Sequence, residues 1–402
     1  MEKGNVMYGQ SGGPSAVINS SLYGVVEAAL ENENVGKFYG AVHGIDGILN
    51  EEFFEFKKEN LEDYKRLKFT PGAFLGSVRH KLKKVEEDVS EYERILEVFS
   101  KYNIRYFFYN GGNDSMDTCD KVSKFLASRG YKCNVIGIPK TIDNDLVCTD
   151  HTPGFGSAAK YIATSLMELA CDTNVYKTGR VTIVEIMGRD TGWLAASSYV
   201  ATHFIGSPDL IYLPENTFST TKFLQDVKKV YDQKKKALVV VSEGIVGEDG
   251  VEIGASGTKD AFGHSELTGA ASNLSKLINK ELGIKTRFIE LSLLQRCGAH
   301  IGGQVDVEEA VQVGRAALTN AVNGVTDVMI GIKRLSDKPY KVEYECVPLS
   351  NVANAIKYVD EKYMNSEKNH IDSSFLDYVM PLVQGENKVE FKDGVPNFIV
   401  RK

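Results

Sequence analysis

Short apolar runs alternate with stretches of helical periodicity along most of the chain, and this order restricts the fold more than any other feature. "NVMYGQ" reads as a strand and is followed, after a glycine turn, by a helical stretch from Ala16 to Leu30. The helical "EYERILEVFSKY" precedes the strand "IRYFFYN", and "SMDTCDKVSKFLASRG" reads as a helix with Ser115 at its start and Gly130 at its end. Strand "CNVIGIP", helix 157–172, strand "RVTIVEIM", a short helix after Thr191 and strand "DLIYLP" follow. Helix 220–235, strand "ALVVVSEG", helix 265–282 and strand "TRFIELSL" continue the pattern. Strands that are apolar nearly throughout belong to sheets covered on both faces. The expected fold is α/β, with two doubly wound, Rossmann-like parallel-sheet domains, since the strands are too many for one compact sheet. The active site would lie in the cleft between them. "ENLEDYKRLKFTPGAFLGS" is expected to be an excursion with a loop, and "GEDGVEIGASGTKDAFGHSE" a loop insertion. "KPYKVEYECVPL" predicts an edge strand, and the last fifty residues read as a peripheral extension.

The net charge of −7 argues against broad electrostatic binding to nucleic acid or an anionic membrane. A small anionic substrate needs only a few local Lys or Arg side chains. The six cysteines form no C-x-x-C pair and no zinc-finger spacing, so reduced thiols are expected. The amino terminus lacks a signal-like apolar core, and no apolar run is long enough to span a bilayer, so the expected location is cytoplasmic.

In doubly wound sheets, ligands bind beyond the carboxyl ends of the strands, and the polar clusters of this chain fall there. The first strand runs into "GQSGGPSAVIN", where Gly12-Gly13 could present backbone N–H groups and a helix end to a phosphate. The motif lacks the dinucleotide fingerprint and the Lys of a Walker A loop, which disfavours NAD and the usual NTPase loop. "LGSVRH" places Arg79 after a Gly-Ser turn. "IPKTIDNDL" puts Lys140, Thr141, Asp143 and Asp145 at one strand end, and carboxylates this close repel unless a metal, a cation or a shared proton is present. "VEIMGRDTGWLA" ends a strand at Met187-Gly188, with Arg189 next. "VVVSEGI" ends another at Glu243, which could accept hydrogen bonds from hydroxyls. Arg287 and Arg296 flank the strand in "TRFIELSLLQRCGAH". Together these residues suit phosphates and a sugar, and an Asp beside a Lys and a metal suits deprotonation of an alcohol. The implied chemistry is phosphoryl transfer, in which positioning and charge stabilisation do most of the work.

In this order, "GQSGGP", "LGSVR", "GGNDS", "PKTIDND", "GRVTIVEIMGR", "SEG" and "LLQR" resemble the phosphofructokinases. "TIDND" with "MGR" is the specific part. "DHTPGFGSAAKY" and the chain length look like the pyrophosphate-dependent branch. The resemblance implies Asp143 as the base that takes the proton of the fructose 1-hydroxyl, with Lys140, Asp114 and Arg189 as further catalytic residues. It implies a fructose 6-phosphate site of Thr141, Ile142, Asp143, Met187, Gly188, Arg189, Glu243 and Arg296. Arg180 and Arg287 match arginines that in relatives reach the 6-phosphate from a neighbouring subunit, so a homodimer or homotetramer is expected. Gly12, Arg79 and Ser115 would meet the donor phosphates, and Asn113 and Asp145 would face Mg2+. Residues 1–150 with about 298–345 would form the donor domain, and 151–297 with about 346–402 the sugar-phosphate domain.

Asp114, inside "YNGGNDS", is an odd residue for a phosphate cradle. ATP-using relatives have glycine where Asp114 stands and glycine where Lys140 stands. The α-phosphate of ATP would pass close to residue 114. A fixed carboxylate about 4 Å away at an effective dielectric near 20 would cost on the order of 4 kcal/mol, roughly a thousandfold in binding. Pyrophosphate has no α-phosphate, and Lys140 would steady its departing oxygens. The pair therefore favours pyrophosphate over ATP as donor. Three other readings are an ATP-dependent phosphofructokinase, a diglycine kinase acting on NAD or a lipid, and a non-catalytic sugar-phosphate-binding subunit. Two positions depart from the family pattern. Asn113, a weaker metal ligand than a carboxylate, stands where relatives often have Asp. Leu293 replaces a Tyr or His near the sugar phosphate.

Overall fold

The computed structural model describes residues 3–259, 265–267 and 269–401. A seven-stranded sheet runs in the order β13-β12-β5-β4-β1-β2-β3. Its strands are β1 (Gly4–Gln10), β2 (Val35–Ala41), β3 (Phe53–Phe56), β4 (Ile104–Gly111), β5 (Asn134–Pro139), β12 (Val328–Asp337) and β13 (Tyr340–Pro348). A four-stranded sheet has the order β11-β6-β8-β7, from β6 (Val181–Ile186), β7 (Leu210–Tyr212), β8 (Ala237–Ser242) and β11 (Thr286–Glu290). Between these in sequence lies a two-stranded ribbon, β9 (Ala255–Lys259) with β10 (Ser265–Leu267). The small sheet is wholly parallel. The large one is parallel at its centre, but β3 and β13 pair antiparallel at its two edges. The antiparallel direction of β3 and β13 could not be told from periodicity, because a strand's direction is set by the length of the connection that precedes it. β13 is the edge strand expected from "KPYKVEYECVPL".

Both faces of the central strands are covered, which explains their unbroken apolar character: every residue of β6 and β8 is buried. The helix Ser90–Lys101 shows the complementary pattern, burying Tyr92, Ile95, Val98 and Phe99 along one face. The helices Ile18–Leu30 and Gln304–Val322 approach at glycines. A Cβ on Gly24 would lie 2.1 Å from the Val311 carbonyl oxygen, and one on Gly314 2.2 Å from that of Ser21.

Several local expectations change. Residues 265–267 are a strand, and the helix expected from 265 begins at Ala270. The tip of the expected loop insertion, 260–264, lies outside the described residues. Ser115 is not a cap: the helix begins at Asn113 after Gly112, so Ser115 sits in its first turn. Gly130 does end it, at φ +69. The first part of the last fifty residues is not peripheral, whereas 384–401 has no buried residue, as expected of an extension. Phe375, Val379 and Leu382 share a core with Trp193, Leu194 and Ile186, because the small sheet has too little covering of its own. Among the described residues no helix is long and apolar enough to cross a membrane. All six cysteines are free.

Candidate active site

The carboxyl ends of both sheets face one cleft of about 270 Å³. From the large sheet come Gly12, Asn113, Asp114, Ser115, Lys140, Thr141, Ile142, Asp143 and Asp145, with Arg79 from a connecting loop; from the small-sheet side come Met187, Arg189, Glu243 and Arg296. Fourteen residues chosen from the sequence therefore line one cavity, although they span positions 12 to 296.

Each wall has a local cause. Arg79 reaches the cleft because its loop is stitched to β1 and the helix behind it. The Leu75 N–H donates to Gln10 Oε1 at 2.9 Å, and the Phe74 N–H donates to Asn19 Oδ1 at 2.9 Å. The Gly12 N–H donates to the Val78 carbonyl at 3.0 Å. Gly12 has φ +74, which its turn requires. The helix that follows starts only at Ile18, so the backbone of Ser11–Pro14, and not that helix end, faces the cleft. The helix end that does line it is the one at Asn113–Ser115, on the sixteen-residue helix Asn113–Ser128. An end of that kind favours anions.

Lys140 is buried, and its ammonium donates to the Gly13 carbonyl. Burial lowers its pKa to about 8, against the pull of Asp143. Asp143 moves the other way: burial first, then the charges of Asp145 and Glu243, raise its carboxyl to about 7. Its backbone N–H donates to Thr141 Oγ1 at 3.1 Å, and its carbonyl accepts from Thr191 Oγ1 at 3.0 Å. Burial also raises Glu243 to about 7. Glu243 is oriented by the Gly188 N–H, which donates to Oε1 at 3.2 Å. Gly188 thus acts behind the wall rather than on it, and its φ of +131 with a Cβ position 2.5 Å from the Thr191 carbonyl oxygen demands glycine. Arg296 crosses from the other side: a Cβ on Gly13 would sit 2.8 Å from its Nη1.

Asn113 Nδ2 donates to Asp145 Oδ2 at 3.2 Å. The remaining oxygens, Asn113 Oδ1 and Asp145 Oδ1, are buried without a partner among the described residues. Two orphaned buried oxygens on hydrogen-bonded side chains fit a hard divalent cation. Among the described residues no group of three or more His, Cys, Asp or Glu side chains could hold a metal, so a cation here would take its other ligands from water and substrate oxygens.

Asp114 differs from expectation. It lies at the exposed rim with Lys81 Nζ 3.8 Å from its Oδ1, and both side chains are about half exposed, at 49% and 59%. A screened, paired carboxylate repels a phosphate far less than the 4 kcal/mol reckoned for a fixed bare one; exposed pairs are worth about 0–1 kcal/mol. His80, which directly follows Arg79 and lines the cleft, was missed, as was Lys81, the ion-pair partner of Asp114. Asp190 and Ser11 also line the cleft. Gln295, buried behind it, accepts from the Met187 N–H at 3.2 Å.

Arg180 and Arg287 are not in this cleft. They line a separate cavity of about 410 Å³ with Asp172, Tyr176 and Lys285. It lies at the amino ends of β6 and β11, where Arg287 is in register with Thr182. A strand of five or six residues spans roughly 17–20 Å, so these arginines are about a strand length from the ends that carry Met187 and Glu243. Leu293 is 55% exposed beyond β11.

Comparison with known proteins shows the family. The phosphofructokinase family model matches residues 5–318. A pyrophosphate--fructose 6-phosphate 1-phosphotransferase of Halomonas elongata is 40% identical over 98% of this chain and 96% of the relative. One of Methylococcus capsulatus is 40% identical over 98% and 95%. The crystal structure of a pyrophosphate-dependent phosphofructokinase from Marinobacter aquaeolei superposes with a TM-score of 0.88 at 38% identity, covering 98% of this chain and 95% of that one. Since the family pattern runs through the residues that converge on the cleft, and the likeness to relatives extends over nearly the whole chain, this protein belongs to the phosphofructokinase family.

Proposed function

We propose that this protein transfers a phosphoryl group from pyrophosphate to the 1-hydroxyl of fructose 6-phosphate, giving fructose 1,6-bisphosphate and phosphate, reversibly and with Mg2+. The observation that carries this reading is the buried Lys140 ammonium seated on the glycine turn beside the raised carboxyl of Asp143. The names of the full-length relatives support pyrophosphate as the donor.

In this reading the residues of the cleft take the following roles. Ser115 and Arg79 hold donor oxygens with hydroxyl and guanidinium donors, and Gly12, whose own N–H is taken by the Val78 carbonyl, lets the donor approach the turn closely. Lys140 meets the oxygens that gain charge as the P–O bond of pyrophosphate breaks. Asp143, as carboxylate, takes the proton of the 1-hydroxyl while the hydroxyl oxygen bonds to phosphorus. Glu243 accepts from sugar hydroxyls, and Met187, Ile142, Thr141, Arg189 and Arg296 complete that wall. Asn113 and Asp145 would hold Mg2+, which when bound draws charge off the phosphoryl oxygens. In this reading residues 1–150 with about 298–345 serve the donor, and 151–297 with about 346–402 the sugar phosphate, although β13 and the stretch to Val352 pack with the large sheet.

The donor assay tests the reading directly. Purified protein should form fructose 1,6-bisphosphate with pyrophosphate at least tenfold faster than with ATP; equal or faster rates with ATP would overturn the donor assignment. The pH dependence has a set sign. A base must be ionised, so kcat/KM should fall as pH drops through about 7 with Asp143. It should fall again above about 8 as Lys140 loses its proton. A rate that stays flat from pH 6 to 9 would contradict both roles.

Arg180 and Arg287 can serve a 6-phosphate only in another subunit's cleft, which makes a homodimer, or a homotetramer built from it, the working assembly. Sedimentation under assay conditions should give at least a dimer, and a fully active monomer would remove both arginines from the site. The cytoplasm, where both substrates are soluble metabolites, is the proposed location.

A further inference from the structure

The carboxyl-terminal segment beyond residue 318, outside the family match, reaches the back of the cleft. The Lys357 N–H donates to the Asp145 carbonyl at 2.8 Å. Its ammonium donates to the Asp150 carbonyl at 2.9 Å, the Thr149 carbonyl at 3.2 Å and Asn144 Oδ1 at 3.4 Å. Tyr378 lies on the other side of Asn144. Its hydroxyl accepts from Asn144 Nδ2 at 2.7 Å and donates to the Asp150 carbonyl at 2.8 Å. Asn144 is fully buried, sits at φ +56 and separates Asp143 from Asp145. Its placement therefore sets the aim of both carboxylates.

The same segment grips the opposite loop. Trp193, the only tryptophan of the chain, donates its indole N–H to the Lys357 carbonyl at 2.8 Å. The Lys357 ammonium stands 5.2 Å from the centre of the Trp193 ring, and the Tyr378 ring is also 5.2 Å away. Glu215 Oε1 accepts from both the Gly192 N–H at 2.8 Å and the Val359 N–H at 3.0 Å. Thus the loop carrying Asp143 and the loop following Arg189 are fastened to one strap.

We propose that Lys357 and Tyr378 are positioning residues for phosphoryl transfer, holding the Thr141–Asp145 loop against the Arg189–Trp193 loop so that the base faces the sugar hydroxyl. Neither touches substrate. The proposal rests on the functional reading above, because it assigns that base a reaction. A misplacement of about 1 Å at a reacting group costs on the order of a hundredfold, and loss of a supporting hydrogen bond behind a site typically costs about 10–100-fold.

The test compares Lys357→Met, Lys357→Arg and Tyr378→Phe with the unaltered full-length protein. Tyr378→Phe keeps the ring against Trp193 and removes only the hydroxyl, so it serves as the mild variant. With pyrophosphate and fructose 6-phosphate, kcat should fall about 10–100-fold in Lys357→Met and about tenfold in Tyr378→Phe. KM for fructose 6-phosphate should change less than about threefold, and Lys357→Arg should recover part of the loss. Hydrogen–deuterium exchange without substrate should speed up in residues 141–150 in both Lys357→Met and Tyr378→Phe, while the strands of the large sheet stay protected. Wild-type kcat and wild-type exchange in folded Tyr378→Phe would overturn the proposal. So would a loss of activity that merely tracks the folded fraction, with Lys357→Arg no better than Lys357→Met. An unaltered protein without turnover would reject the functional reading instead, and the exchange of residues 141–150 alone would then decide whether the strap positions the loop.

Discussion

Asp143→Asn should lower kcat about 10²- to 10⁴-fold while leaving KM for fructose 6-phosphate within a few-fold of its original value. The amide matches the carboxylate in shape. The backbone ties that place the residue, to Thr141 Oγ1 and from Thr191 Oγ1, involve only its N–H and carbonyl. What disappears is the proton acceptor. The same substitution should make the protein more resistant to heat at pH 8. The folded-state pKa of Asp143 lies above that of a free Asp, so the folded chain holds its proton more tightly than the unfolded chain does. Stability therefore declines as pH rises from about 4 to about 7, and the uncharged amide escapes that penalty. Steady-state kinetics and thermal melts on one preparation check both parts. A kcat reduced less than tenfold would remove Asp143 as the base.

Lys140→Met should reduce kcat/KM for pyrophosphate about 10²- to 10³-fold, the scale of losing one preorganised donor to developing charge. Asp114→Gly alone should change it only a few-fold. The ranking comes from burial. Lys140 is 3% exposed and donates into the glycine turn, whereas Asp114 is screened by solvent and by Lys81. The double change Asp114→Gly with Lys140→Gly should lose pyrophosphate activity and gain measurable ATP activity, with most of the loss already present in the single Lys140 variant. Donor competition assays on the three proteins would show it. A larger donor switch from Asp114→Gly than from Lys140→Met would reverse the assigned weights, and full pyrophosphate activity in the double variant would remove both residues from donor choice.

The candidate site was legible because its residues sit in short motifs at strand ends, where a turn must expose backbone and polar side chains together. Lys140 to Asp145 form one such motif, and Gly12, Asn113, Met187 and Glu243 occupy the same place on other strands. Lys357 and Tyr378 carried no comparable signal. Each is a single residue in an aperiodic segment, and its hydrogen bonds to Asn144 and Asp150 reach back more than two hundred positions. Arg180 and Arg287, which the resemblance assigned to a neighbouring subunit's site, lie outside this chain's own cleft, at the opposite ends of β6 and β11.

The sequence by itself determined the parallel sheets, the cleft at their carboxyl ends and the carboxylate–lysine pairing, since apolar period, glycine turns and charge spacing are local properties. Only the tertiary structure decided which charges are buried and which are screened. It set Lys140 inside, left Asp114 at the rim with Lys81, and drew the carboxyl-terminal strap behind Asn144. The physical reason is that desolvation and Coulomb energies depend on what distant segments pack around a group, which its neighbours in sequence do not specify.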